Sequence, residues 1–123
     1  MTKYFAEVRV TFEAQEIMDA VFENLFKHSS PWLFKYRYDS NNPEKKVPVC
    51  YENPDFSYGD PTQDEWKYTH IGPGDLARGL GLLLAAGQRH CFGIVIPADF
   101  EEWDTCCADE CLQYAIFGKS IFG

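Results

Sequence analysis

Long apolar runs are missing from this chain. Its one leucine-dense stretch, residues 71–88 (IGPGDLARGLGLLLAAGQ), is broken by glycines and an arginine. It offers a helix of about 13 residues, too short to cross a bilayer, so no membrane partner is expected. Positive charge is scarce as well. Lys and Arg number 11 against 19 Asp and Glu, for a net charge of −8 and a pI near 4.7. Binding to a nucleic-acid backbone works by clustered cations releasing counterions, so direct nucleic-acid binding is not expected. The start of the chain lacks a basic segment followed by an apolar one, so no secretory signal is read and the expected location is cytoplasmic. There is no C-x-x-C pair among Cys50, Cys91, Cys106, Cys107 and Cys111. That odd number argues against a disulfide framework. No G-x-S-x-G elbow, Walker lysine or G-x-G-x-x-G turn occurs, and His28, His70 and His90 are scattered. Internal repeats and low-complexity tracts are absent too.

What is present is a globular composition: 123 residues, 46% hydrophobic and 16% aromatic. That suffices for one domain, residues 1–123, burying about two-thirds of its extended surface without a disulfide. Residues 4–12 alternate through Tyr4, Ala6, Val8, Val10 and Phe12 and predict a half-buried strand. Ala14, Ile17, Met18, Val21, Phe22 and Leu25 follow at helical spacing, with Glu16, Asp19 and Glu23 outside. Trp32, Phe34, Tyr36 and Tyr38 predict a second strand with one wholly aromatic face, and Leu33, Lys35 and Arg37 a partly basic one. A polar turn at 39–46, a short strand at 47–51, a long exposed loop at 53–62 and a strand at 65–71 come next. In the central helix Leu76, Leu80, Leu83 and Leu84 form a stripe that Leu82 and Ala85 widen. Asp75 is its expected cap and Gly87 its expected stop, and Gly79 and Gly81 suit a close approach of another backbone. A weak strand at 90–96 precedes a last helix, capped by Asp99 or Asp104 and ended by Gly118. The predicted fold is α+β, an antiparallel sheet of about four strands packed against three helices in the order β-α-β-β-β-α-(β)-α.

Several constellations compete for a function. Cys106, Cys107 and Cys111 with His90 invite a metal reading, since Cys107 and Cys111 lie one helical turn apart; without a paired knuckle they read as small buried hydrophobes, and no metal or other cofactor is expected. The glycine-rich 70–75 segment opens a helix, but Asp75 would repel a phosphate there. The aromatic strand either packs the sheet onto the helices or offers a stacking platform, with Trp32 and Tyr36 for a base and Lys35, Arg37, Arg78 or Arg89 for phosphate. Asp55, Phe56, Tyr58 and Asp60 put aromatics into an acidic loop that can meet a partner or staple the domain. Asp99, Glu101, Glu102, Asp104 and Asp109 form an acidic patch about the last helix. It is either a solvated face or a mimic of phosphates that enters a basic groove.

The closing pattern Ala108-Asp109, Gln113-Tyr114-Ala115-Ile116-Phe117-Gly118 and Ile121-Phe122-Gly123 resembles the end of a group of small proteins carried by phages and prophages of Gram-positive bacteria. The strand and helix at 8–26 and the leucine-rich helix fit the same layout. The Cys106-Cys107 pair and the 53–62 loop depart from it. The resemblance implies no activity residue by residue, and its terminal motif looks structural. What it implies is a phage setting, where small acidic proteins commonly act as stoichiometric inhibitors of host defence. The expectation is a non-enzymatic, anti-CRISPR-like protein that binds a bacterial defence component. The alternative is a sponge that sequesters a cyclic or signalling nucleotide between the protomers of a homo-oligomer.

Overall fold

A computed structural model describes residues 2, 10–27, 30–86, 89–90, 93–94 and 100–122. The helix α1, Ala14–Lys27, buries Ile17, Met18, Val21, Phe22 and Leu25 as its spacing requires. Its first turn is secured by Glu16, whose carboxylate accepts a hydrogen bond from the Glu13 amide at 3.0 Å. Three antiparallel strands follow, β1 (Leu33–Tyr36), β2 (Val47–Glu52) and β3 (Trp66–Ile71), forming a sheet in the order β1-β2-β3. Helix α2, Pro73–Ala85, comes next, then a small hairpin of β4 (Arg89–His90) and β5 (Gly93–Ile94), a 3-10 turn at Phe100–Glu102, and helix α3, Thr105–Phe117. The α+β class, the antiparallel sheet and the three helices agree with the sequence reading. The expected N-terminal strand lies outside the described residues over 3–9, and Val10 to Phe12 are not strand. No described helix is long and apolar enough to cross a membrane.

Two expectations about α2 are corrected. The cap is Gly72, with Pro73 opening the helix; Asp75 is its third residue and reaches back to accept from the Gly72 amide at 2.8 Å. Pro-Gly therefore begins the helix and does not precede it. The apolar stripe is also narrower than expected: Leu76, Leu80 and Leu83 are buried, while Leu82, expected to widen it, is 40% exposed. The proposed stop Gly87 lies outside the described residues. Of Gly74, Gly79 and Gly81 in α2, Gly79 alone has a close neighbour among the described residues. A Cβ there would stand 2.7 Å from the Ala115 amide nitrogen and 2.8 Å from the Cys111 carbonyl oxygen, whereas Gly81 faces open space. At Gly79, α2 and α3 touch backbone to backbone, and only a residue without a side chain fits.

The C-terminal motif closes the core. Asp104 caps α3 by accepting from the Cys107 amide, and Gly118, with φ of 76°, ends the helix in the left-handed region. Gln113 is 1% exposed and fully engaged. Its amide nitrogen donates to Asp109 and to the Phe122 carbonyl, while its oxygen accepts from the Ile121 and Phe122 amides, both at 2.8 Å. The returning tail stacks Phe122 on Trp32, 5.6 Å between centroids and 4° from parallel. Phe117 packs edge-on against Trp32 and Tyr51. Asp109 accepts in turn from Ser30 and from the Trp32 indole at 3.1 Å. A buried glutamine needs four partners, and here the backbone of the tail supplies three of them.

Candidate functional site

The sheet is not divided into an aromatic and a basic face as expected. A bulge between Leu33 and Lys35 shifts the register, pairing Leu33 with Tyr51 but Lys35 with Cys50. Trp32 and Leu33 turn into the core. Tyr36 and Tyr38 lean on Phe22. Phe34 turns outward and is 60% exposed. The first of two surfaces follows from this: on the outer side of the sheet Phe34 meets Trp66, 5.0 Å between centroids, and Tyr68, 68% exposed, stands beside them. Lys35 lies over the Phe34 ring at 5.9 Å. A cavity of about 350 Å³ is lined by Lys35, Tyr36, Arg37, Pro48, Cys50 and Tyr68. The neighbouring Cys50 side chain raises the Tyr68 hydroxyl above the usual tyrosine range. A second hollow, about 270 Å³, shares Arg37 and Pro48 with it and adds Asp39, Lys45, Lys46 and His70.

The other surface is acidic. Glu16, Asp19 and Glu23 fall on one stripe of α1, and the 3-10 turn brings Glu101, Phe100 and Trp103 against it to form a groove of about 400 Å³. Phe100 is held edge-on by Phe12 and tilted on Trp103. Asp19 accepts from the Tyr38 hydroxyl at 2.5 Å. Burial, that hydrogen bond and the surrounding carboxylates hold the Tyr38 proton on well above the normal range, so Tyr38 acts as a fixed donor. The three α1 carboxylates were not among the candidate residues. Their signal, acids on one helical stripe, is that of any solvated helix, and only the tertiary fold sets Glu101 opposite them.

The other candidates divide. Glu101 and Glu102 are exposed, as an acidic contact surface requires. Asp104 is the α3 cap, Asp109 is the acceptor under Trp32, and Asp99 lies outside the described residues. In the 53–62 loop Tyr58 is 87% exposed, with Phe56 edge-on against it at 4.9 Å. Asp60 accepts from the Thr62 amide and hydroxyl, which lower its carboxyl below the usual range. Asp55 is exposed, its amide donating to Asn53. Of the stacking set, Trp32 is 2% exposed and leaves no ring face for a base, while Tyr36 lines the cavity with Lys35 and Arg37, its hydroxyl donating to the Phe22 carbonyl. Arg78 is engaged between the helices, donating to Asp75 and to the Ala115 carbonyl. Lys35 and Arg37 are exposed, and the Arg89 side chain lies outside the described residues.

Cys107 and Cys111 are buried. Burial, with a smaller contribution from Cys107, pushes the Cys111 thiol up to about 12, and its sulfur sits 3.7 Å from the Leu76 carbonyl. A thiol kept protonated is a poor nucleophile. The side chain of His90 lies outside the described residues. Among the described residues no group of three or more His, Cys, Asp or Glu side chains is arranged to hold a metal ion. No family model, curated protein or solved structure matches this chain.

Proposed function

We propose that this protein is a non-enzymatic inhibitor that occupies a basic surface on a bacterial defence component, such as a CRISPR effector, through the groove between α1 and the 3-10 turn. The observation that carries this reading is the composition of that groove, which Glu16, Asp19, Glu23 and Glu101 line together with Phe100 and Trp103. Carboxylates beside aromatic rings suit an arginine or lysine side chain, which takes a charge partner for its head and an apolar wall for its stem. The overall charge of −8 adds long-range attraction, which speeds encounter with a basic partner more than it tightens the complex. Exposed Tyr58 supplies a further aromatic contact of the kind that anchors protein interfaces.

The test is biological and then physical. Expression of the chain in a defence-proficient host should restore infection by a restricted phage, and the double variant Glu23→Lys, Glu101→Lys should abolish that effect while remaining folded. Association with the partner so identified should slow steeply as salt is raised. Restriction left intact by the native chain, or rescue undiminished by the charge reversals, overturns the reading.

A further inference from the structure

We infer that the outer face of the β1-β2-β3 sheet is a nucleotide site, with a base lying on the Tyr68 ring and the phosphate held by Lys35 and Arg37. The inference does not depend on the acidic groove, which is built from other elements.

The chemistry is set by which side chains the pairing register turns outward. The bulge in β1 sends Phe34 and Lys35 to the side where Cys50 and Tyr68 already point. Tyr68, more than two-thirds exposed, stands opposite Cys50 across the β2-β3 pairing and lines the cavity, with most of its surface open to solvent. An exposed aromatic ring on a strand is a stacking surface, and bases of any kind have a π face to lay on it. The cavity at its foot, about 350 Å³, is of the size that takes small molecules.

Charge selects the class of ligand. In a chain of net charge −8, the cavity is lined by Lys35 and Arg37 and, among the described residues, by no carboxylate. Arg37 is shared with the neighbouring hollow, where Lys45 and Lys46 outnumber Asp39. An aromatic ring beside a small set of cations matches a molecule with a flat base at one end and phosphate at the other. A longer strand fits less well. Exposed Glu52, paired with Trp66 at one end of the face, and Asp39 at the other would repel the backbone of a chain running past the cavity.

The experiment is calorimetric titration of the full chain with AMP, GMP and UMP, with inorganic phosphate and a short oligodeoxythymidine alongside. Tyr68→Ala, Arg37→Ala and Glu101→Gln variants are compared, with circular dichroism confirming that each folds. Saturable binding of a mononucleotide is expected. It should weaken about tenfold in Tyr68→Ala and in Arg37→Ala, and should be untouched in Glu101→Gln, which lies in the acidic groove. Absence of saturable binding by any mononucleotide overturns the site. So does native affinity in folded Tyr68→Ala, or inorganic phosphate binding as tightly as the nucleotides. An oligonucleotide that binds far more tightly than its mononucleotide, with steep salt dependence, replaces the small ligand with a single strand.

Discussion

The two sides of the β1-β2-β3 sheet put their aromatic residues to opposite uses. On the inner side Trp32 is covered by Phe117 and Phe122, its indole hydrogen is taken by Asp109, and the Tyr36 hydroxyl goes to Phe22. Each ring there has its partners inside the fold. On the outer side Phe34 and Tyr68 keep most of their surface in water beside Lys35 and Arg37. Those exposed rings, set beside cations, are what the proposed nucleotide site rests on, whereas the enclosed rings are accounted for by packing.

The contrast can be broken first where packing is tightest. Gly79→Ala would drive a methyl group into the α3 backbone at Ala115 and Cys111, and should destabilise the protein by about 3 kcal/mol or more in urea unfolding. Asp109→Ala would leave the Trp32, Ser30 and Gln113 donors short of an acceptor and should cost about 2 kcal/mol or more. Asp109→Asn, which keeps one acceptor oxygen, should lose less.

Alkaline pH probes the same interior. Burial raises the Cys111 thiol from 9.0 to about 12, so above pH 9 the unfolded chain releases a proton that the folded chain retains. The folded state then binds more protons, and its stability is full below pH 9 and declines toward pH 12. Burial acts on Tyr36 and Tyr51 with the same sign. Thermal unfolding of the native chain should therefore show a falling Tm over this window, and Cys111→Ala should flatten the fall. The smallest effects belong outside the core. Gly81→Ala, with nothing near its new methyl group, should stabilise α2 by about 1 kcal/mol. Tyr68→Ala should change stability by about 0.5 kcal/mol or less, so a loss of ligand binding in that variant reports on the site and not on the fold.

Helical periodicity in α1 was legible because Ile17, Val21 and Leu25 repeat at the spacing of a helix, whatever covers them. The close approach at Gly79 was legible as a cost in helix propensity that needs a reason. The same cost at Gly81 has no such reason, since nothing lies near it, and propensity carries no information about which side of a helix is covered. The sidedness of the aromatic strand is illegible for a related reason. Alternation assumes an unbroken pleat, and the bulge between Leu33 and Lys35 shifts one part of the strand relative to the other. The acidic patch was half legible: Glu101 and Glu102 are exposed, but Asp104 and Asp109 serve the fold, and a carboxylate that caps a helix is indistinguishable in sequence from one that faces water.

The amino-acid sequence by itself determined the α+β class, the sites of the three helices, the acidic charge and the stop at Gly118, because these depend on spacing, composition and local backbone preference. Only the tertiary structure decided which aromatic rings are enclosed and which are presented, that Gln113 clasps the chain's own tail, and that Glu101 faces the carboxylates of α1. Those outcomes depend on pairing register and on contacts between residues far apart in the chain, which local periodicity does not encode.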